Sequence, residues 1–300
     1  MPSVSEFELR DEETTGYGRR VKIFMSENKT DKELAFLHDL YIATDWGERF
    51  AGLLDDHVQV PKAGHALYVA AGTGGHALAL KERAGQDLTL IGVDESEAQL
   101  ALARAKAAAT KLAEVTEFRA AQLEALAFED EQFDLVVGDA SLVSAERLPE
   151  VLAEMVRVAA PGATVAFVLP TASSFGEFYS VYWEALLNAE MLEQSPVVEQ
   201  LINERPTVAD VETLAVREGL DLVQTWTNIE QFDYASGEEF LNAPLVRDFL
   251  LQNWLEPLGE DEAARARVLS EVERIIDEER NEAEFALTIK ATLVVGQKTD

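Results

Sequence analysis

Residues 65–75 have the sequence HALYVAAGTGG, an apolar run that ends in a glycine-rich loop. The run predicts a buried strand, and the glycines let the backbone turn tightly and approach a ligand closely. A helix predicted from residue 76 would point its first amide groups at the same space. Residues 88–94, LTLIGVD, predict a second strand that ends in Asp94. Because a carboxylate at that strand end can accept hydrogen bonds from both hydroxyls of a ribose, the two strand ends together predict a nucleoside pocket.

Strands and helices continue to alternate beyond this pair. Apolar runs predict further strands at 115–120, 133–139 and 163–170, separated by helices at 97–112 and 148–159. Repeated units of this length predict an α/β fold with a mostly parallel sheet that is covered by helices on both faces.

The flanking segments add helices and two long strands. Apolar residues at helical spacing predict one or two helices between Asp31 and His57, and residues 1–30 are expected to form a hairpin or a flexible arm. Toward the C-terminus the same patterns predict helices at 174–192, 208–218, 238–255 and 261–280, and strands at 220–234 and 285–298.

Composition limits the function before any motif is considered. The chain has 300 residues, 47% of them hydrophobic, and a formal net charge of −31 at pH 7. This charge opposes association with nucleic acids or anionic membranes, because phosphate binding needs clustered Lys and Arg. The sequence has no Cys and no apolar run of the roughly 18 residues that span a bilayer, and its first residues lack the basic and apolar regions expected of a secretory signal. We therefore expect a cytoplasmic protein without disulfides, membrane spans or a metal site.

The spacing Gly72-x-Gly74-x-x-Ala77 also satisfies the short pattern of dinucleotide-binding loops. No Tyr of the chain is followed four positions later by Lys, so the residue pair of the short-chain dehydrogenases is missing. Other classes of nicotinamide-dependent oxidoreductase remain open on these residues alone.

The stretch from His65 to Thr171 resembles the class I S-adenosylmethionine-dependent methyltransferases. The resemblance rests on four places in order, which are HALYVAAGTGG at 65–75, LIGVDES at 90–96, LEALAFEDEQFDLVVGDASL at 123–142 and LPEVLAEMVRVAAPGATVAFV at 148–168. It implies a Rossmann-like, seven-stranded, mostly parallel sheet whose last strand is antiparallel. It also implies S-adenosylmethionine as the cofactor, with S-adenosylhomocysteine as the product.

The resemblance implies roles for individual residues of the predicted pocket. It places Ala70, Ala71, Gly72, Thr73 and Gly74 around the amino-acid part of the cofactor, Asp94 on the ribose, Glu95, Gln122 and Leu123 beside the adenosine, and Gly138 and Asp139 near the methionine portion and the methyl group. Tyr68 belongs to the same predicted site but departs from the family, since many members carry an acidic residue there that orients the cofactor's amino group. Ala70 stands where many members have Gly, and Gln122 where they often have Asp.

Catalytic and acceptor-binding residues are predicted from position alone. If the acceptor must lose a proton, His is the side chain whose pKa suits a base near neutrality, and the candidates are His76, beside the glycine loop, and His38, on the N-terminal helical segment. Both also fit ordinary structural positions. The predicted acceptor pocket comprises Tyr41, Trp46, Phe175 and Tyr179, for which simple packing is the alternative.

These observations predict three parts of the chain. Residues 1–60 would form an N-terminal arm and a helical lid, residues 61–231 with 283–298 the cofactor-binding domain, and residues 232–282 a helical insert that caps the acceptor or makes a homodimer contact. The expected function is methyl transfer from S-adenosylmethionine to a small molecule. The alternatives are a nicotinamide-dependent oxidoreductase and a catalytically silent methyltransferase-like binding protein.

Overall fold

The computed structural model describes residues 29–191, 193, 195–279 and 284–299. The hairpin or arm predicted for residues 1–30 therefore lies almost wholly outside the described residues. Within them, the α/β fold predicted from the sequence is confirmed.

A seven-stranded sheet forms the centre of the fold, with the strand order β3-β2-β1-β4-β5-β7-β6. The strands are β1 (Gly64–Val69), β2 (Leu88–Asp94), β3 (Thr116–Ala120), β4 (Phe133–Asp139), β5 (Ala159–Pro170), β6 (Leu220–Tyr234) and β7 (Phe285–Lys298). Strands β1 to β5 pair in parallel, and β7 is antiparallel to both β5 and β6. The antiparallel last strand agrees with the expectation from the resemblance.

The strand order reverses between β1 and β4, which pair in parallel with Val69 beside Gly138. Connections from these two strands leave in opposite directions and open a crevice at their carboxyl ends, where α/β sheets of this kind bind ligands. The glycine-rich loop that follows β1 and Asp139 at the end of β4 both lie at this crevice.

Helices precede the sheet, cover it and fill the C-terminal part of the chain. They are α1 (Asp31–Leu37), a π-helical segment (His38–Gly47), α2 (Glu48–His57), α3 (Gly75–Ala84), α4 (Glu97–Ala109), α5 (Leu148–Val158), α6 (Gly176–Asn188), α7 (Ser195–Glu204), α8 (Val208–Arg217), α9 (Gly237–Asn242), a second π-helical segment (Leu245–Leu250), α10 (Leu251–Leu255) and α11 (Glu262–Glu279).

Two local predictions differ from the structure. Helix α7 was not predicted, because no clear break in the apolar pattern separates it from the helix predicted at 174–192. Strand β5 begins at Ala159 rather than at residue 163, so Pro161 and Gly162 lie within the strand. Gly162 has a φ of +74°, and the pairing register shifts opposite this stretch, so an irregularity carries the strand through residues that usually end one.

Alternate residues of the strands enter two apolar cores, one on each face of the sheet. Ala66 and Tyr68 belong to one core and Leu67 and Val69 to the other, as the period of a strand requires. The helical run from α1 through α2 packs on the Tyr68 face together with α6 and the C-terminal helices. We call this run the lid. The boundaries predicted between the lid, the sheet domain and the insert stay predictions.

Trp46 anchors the lid to the sheet. Its side chain is 1% exposed, its indole Nε1 donates to Ser141 Oγ at 2.9 Å, and its ring packs against those of Phe175 and Phe232. Arg49 adds a surface attachment by donating to Glu230 at 3.1 Å. The lid is thus packed on the sheet at the carboxyl ends of β4 and β5. In the part of the chain that the structure describes, no helix combines the length and apolarity needed to cross a membrane.

Candidate active site

The loop after β1 is shaped by left-handed backbone at three alternate residues. Ala70, Gly72 and Gly74 have φ values of 55°, 55° and 76°. A Cβ at Gly74 would lie 2.6 Å from Ala103 Cβ, so the close approach of α4 requires glycine. Ala70 adopts the same conformation with a side chain, at a cost of about 1 kcal/mol. Glycine at position 70 would adopt this conformation without that cost.

Asp94 ties the ends of β1 and β2 together. Its Oδ2 accepts a hydrogen bond from the amide of Gly72 at 2.8 Å, and its Oδ1 accepts one from the amide of Ser96 at 2.9 Å. Burial raises the pKa of Asp94 despite these bonds. Each carboxylate oxygen keeps a lone pair for a further donor, so the group can receive two hydroxyls from a ligand.

Asp139 lies at the end of β4, with Oδ1 accepting from the amide of Ser141 at 3.0 Å. Burial raises the pKa of Asp139, and the neighbouring Asp94 carboxylate adds to the rise. Neither Asp94 nor Asp139 forms an ion pair with any Lys, Arg or His of the described ranges. Two partly buried carboxylates without a cation favour a positively charged ligand between them.

A cavity of about 830 Å³ lies between the lid and the carboxyl ends of the strands. Of the residues predicted for the cofactor and for catalysis, those that border it are Tyr68, Ala70, Ala71, Gly72, Thr73, Gly74, Asp94, Glu95, Leu123, Asp139, His76 and His38. Its volume is in the range of sites for small molecules and cofactors.

Two residues predicted for the cofactor do not border the cavity. Gln122 is exposed. Gly138 is buried and faces the opposite core, because a Cβ added there would lie 2.8 Å from Met155 Cε. A strand residue points to the face opposite that of its neighbours, and this places Gly138 away from the cavity that Asp139 borders.

Of the residues predicted for the acceptor pocket, Trp46 borders the cavity and the other three do not. Phe175 lies behind Trp46 with the two rings parallel and their centroids 6.3 Å apart. Tyr179 packs on Phe175 and Trp254 within the core, and Tyr41 is 49% exposed on the outer side of the lid. Phe175 and Tyr179 therefore fit the packing alternative, and Tyr41 lies on the surface.

The lid is held over the glycine loop by Asp39. Its carboxylate accepts from Thr73 Oγ1 at 2.6 Å and from Lys106 Nζ. Burial opposes ionisation, yet the bonds from Lys106 and Thr73 lower the pKa of Asp39. These contacts join the lid, the loop and α4 across residues far apart in the chain, and no sequence pattern signals them.

His38 lies directly over the loop. A Cβ added at Gly72 would come within 3.0 Å of His38 Cε1, and the imidazole ring meets Phe249 edge-on at 5.8 Å. Its Nδ1 is buried and has no hydrogen-bond partner among the described residues. Burial lowers the pKa of His38 from 6.5 to about 4. The ring is therefore neutral near pH 7 and a weak proton acceptor, which favours a contact role over the predicted role as a base.

The depressed pKa of His38 predicts a pH-dependent part of the folding stability. The unfolded chain protonates His38 near pH 6.5 and the folded chain near pH 4, so stability is full above pH 6.5 and is lost as the pH falls toward 4. We expect the free energy of unfolding of the wild type to fall by up to about 3 kcal/mol over this range because of His38. His38→Phe should not show this part of the fall. Urea unfolding at pH 7.0, about 5.5 and about 4.5 measures it. The same dependence in His38→Phe would contradict the assignment, and His65→Phe, at an exposed ring, is the control.

His76 connects Tyr68 to the lid. Its Nε2 lies 2.7 Å from Asp55 Oδ1, and its Nδ1 lies 2.8 Å from Tyr68 Oη. Both ring nitrogens are thus engaged, so a direct contact between His76 and an acceptor requires one of these bonds to break. Burial raises the pKa of Tyr68 well above its ordinary value, with Asp139 and Asp55 adding to the rise, so the phenol stays protonated.

An ion-pair network borders the other end of the cavity. Arg147 donates to Glu95 at 2.7 Å and also binds Glu124. Leu123 lies beside this network and presents an apolar surface to the cavity. Sequence reasoning missed Arg147, as it missed Phe249 of the C-terminal part, because neither belongs to a motif and both reach the cavity through tertiary folding.

Comparison with known proteins finds a family match over the centre of the chain. Residues 66–162 match a family described as a methyltransferase domain. The demethylmenaquinone methyltransferase of Shouchella clausii is 35% identical over 125 residues, which are 41% of this chain and 53% of that protein. The one from Bacillus licheniformis is 25% identical over 225 residues, 72% of this chain and 92% of that protein. The chain spans about half the length of the first relative.

Solved structures share the fold at low identity. The YcgJ protein from Bacillus subtilis superposes with a TM-score of 0.54 at 18% identity, over 84% of this chain and 99% of that chain. A phosphoethanolamine N-methyltransferase from Haemonchus contortus, solved with S-adenosylhomocysteine, gives 0.53 at 15% identity, over 91% of this chain and 59% of that chain. At this identity the likenesses show a shared fold alone, over 84% and 91% of this chain.

Proposed function

We propose that this chain, whose residues 66–162 match a methyltransferase domain, is a class I S-adenosylmethionine-dependent methyltransferase that transfers a methyl group to a small molecule. One observation supports this most directly. The Asp94 carboxylate accepts from the Gly72 amide where β1 and β2 end, at the wall of the 830 Å³ cavity. This is the arrangement that a ribose held between a glycine loop and an acidic strand end requires.

The residues of the cavity suit S-adenosylmethionine. Asp94 has lone pairs for the ribose hydroxyls, and the bare backbone from Ala70 to Gly74 allows close approach of the amino-acid part. Leu123 offers an apolar surface to an adenine ring. Asp94 and Asp139 together provide negative charge without an ion-pair partner in the described structure, which suits the positive charge of a sulfonium.

The protein's part in the reaction is positioning and exclusion of water. When bound, the cofactor supplies an electrophilic methyl group on its sulfonium. Methyl transfer is an in-line displacement, so holding the acceptor in line accounts for most of the rate enhancement. Trp46 and Ile42 of the lid cover the cavity with apolar surface, and Asp39 holds the lid on Thr73. The buried Trp46 side chain keeps this cover fixed relative to β4.

The acceptor we propose is small, apolar and neutral or cationic. Part of the cavity wall is apolar, with Ile42, Trp46, Leu142, Val143 and Phe249. The net charge of −31 opposes a polyanionic acceptor. Because relatives named as demethylmenaquinone methyltransferases match the centre of the chain, a reduced naphthoquinone without its ring methyl is the first acceptor to test.

A labelled-methyl assay tests the proposal. The chain is incubated with S-adenosylmethionine carrying a radioactive methyl group and with a panel of acceptors that includes a short-chain demethylmenaquinol. We expect label in the organic extract with at least one acceptor, and strongly reduced label with Asp94→Asn. Transfer of the label only to a different acceptor would exclude the quinol as the substrate. Tight binding of S-adenosylhomocysteine with no transfer to any acceptor or metabolite extract would favour the catalytically silent alternative.

A further inference from the structure

The hydrogen-bond partners of His76 favour one direction for the proton of the Tyr68 hydroxyl. Asp55 Oδ1, which also receives the Arg83 guanidinium, acts as an acceptor, so His76 Nε2 carries the proton of the 2.7 Å bond. In the tautomer that carries a proton on Nε2 alone, Nδ1 is bare, and Tyr68 Oη at 2.8 Å donates to it. The phenol oxygen is left with lone pairs and no proton to offer.

Tyr68 presents this oxygen to the cavity beside a carboxylate. Tyr68 is only 3% exposed, yet it borders the cavity, as does Asp139 at the end of the adjacent strand β4. The two strands pair directly, with Tyr68 opposite Val137, two residues before Asp139. An oriented acceptor and a carboxylate without an ion-pair partner in the described chain therefore face one part of the cavity.

Tyr182 of the same core lacks such an arrangement. Tyr182 is 1% exposed, and its hydroxyl is buried without a hydrogen-bond partner among the described residues. Packing alone therefore accounts for Tyr182. Packing alone does not account for Tyr68, whose hydroxyl is bonded to His76, which is in turn bonded to Asp55 of the lid.

We propose that the Tyr68–His76–Asp55 chain makes Tyr68 an acceptor for the primary ammonium group of the bound cofactor, with Asp139 supplying the opposing charge. This inference rests on the proposed function. It assigns to three side chains from β1, α3 and α2 a task that a single carboxylate on β1 would otherwise perform. Because Asp55 belongs to the lid, the orientation of the Tyr68 hydroxyl as an acceptor depends on the lid being packed on the sheet.

Two ligands that differ in the amino-acid part separate this role from general packing. S-Adenosylhomocysteine carries the ammonium group, and 5′-methylthioadenosine lacks the whole amino-acid portion. Calorimetric titration of Tyr68→Phe should show about a ten- to hundredfold loss of affinity for the first, the range for a hydrogen bond to a charged group. The affinity for the second should stay within about twofold. Tyr182→Phe, a matched removal of a buried phenol oxygen, should change neither.

The outcomes distinguish failure of this inference from failure of the proposed function. If Tyr68→Phe binds S-adenosylhomocysteine as the wild type does, or loses both ligands equally, the ammonium contact is overturned while the proposed function stands. If the wild type binds neither ligand, the proposed function fails.

The tautomer of His76 provides a readout that needs no ligand. Nitrogen-15 NMR of the protein alone should show His76 protonated on Nε2, with a bare Nδ1 that accepts from Tyr68. Asp55→Ala should weaken this preference. A wild-type ring protonated on Nδ1 would reverse the direction of the bond from Tyr68 and overturn the proposal.

Discussion

Replacement of Asp94 by Asn is expected to weaken the binding of S-adenosylhomocysteine by at least about a hundredfold. Two ribose hydroxyls donating to a partly desolvated carboxylate contribute about 1.5–3 kcal/mol each, and about 1.4 kcal/mol corresponds to a tenfold change in affinity. The Asn side chain retains one acceptor oxygen for the Gly72 amide but offers an NH₂ group to the second hydroxyl. Isothermal titration calorimetry measures the loss.

Folding must be measured in the same variant, because Asp94 also joins the ends of β1 and β2. Burial raises the pKa of Asp94, so neutralising the side chain relieves a desolvation cost that offsets the weakened bonds. We expect the free energy of unfolding without ligand to change by less than about 1 kcal/mol. Glu97→Gln, at an exposed carboxylate three residues on, is the control and should keep full affinity. An Asp94→Asn variant that binds normally would remove Asp94 from the site.

Replacement of Gly74 by Ala is expected to destabilise the fold by about 2–5 kcal/mol. Left-handed backbone costs an L-residue about 1–2 kcal/mol, and crowding in a packed core adds about 1–3 kcal/mol. Gly74 has a φ of +76°, and its added Cβ would lie 2.6 Å from Ala103 Cβ and 2.9 Å from Phe118 Cζ. Either α4 and the Phe118 ring move away from the glycine loop or the loop changes shape. Urea unfolding measures the cost.

The neighbouring glycine is a matched control for this prediction. At Gly75 the nearest atom to an added Cβ is Lys106 Nζ at 4.0 Å, and the residue begins α3 without a left-handed φ. Gly75→Ala should therefore be neutral or slightly stabilising, because alanine favours a helix over glycine by about 1 kcal/mol. Equal effects at the two positions would contradict the account of the loop.

The sheet and the cofactor side of the site could be predicted because both depend on local sequence. Apolar runs predicted the seven strands, and the position of Asp94 at a strand end placed it beside the glycine loop. Gly138 could have been excluded from the site, because successive strand residues point to opposite faces of the sheet. Since Asp139 faces the cavity, Gly138 must face the opposite core.

The acceptor side could not be predicted, because it depends on contacts between distant segments. Asp39 reaches Thr73 across 34 positions of the chain, and Asp55 reaches His76 across 21. An aromatic cluster after β5 predicted an acceptor wall, yet Phe175 lies behind Trp46 because the lid occupies the intervening space. A pattern of residue types cannot distinguish the lining of a cavity from the layer that supports it.

Binding of S-adenosylhomocysteine compared with binding of NAD tests the central claim most directly, because both ligands carry a ribose that an acidic strand end can hold. Calorimetric titration of the wild-type chain should show one site for S-adenosylhomocysteine and no saturable binding of NAD. Binding of NAD without binding of S-adenosylhomocysteine would contradict the account and favour a nicotinamide-dependent oxidoreductase.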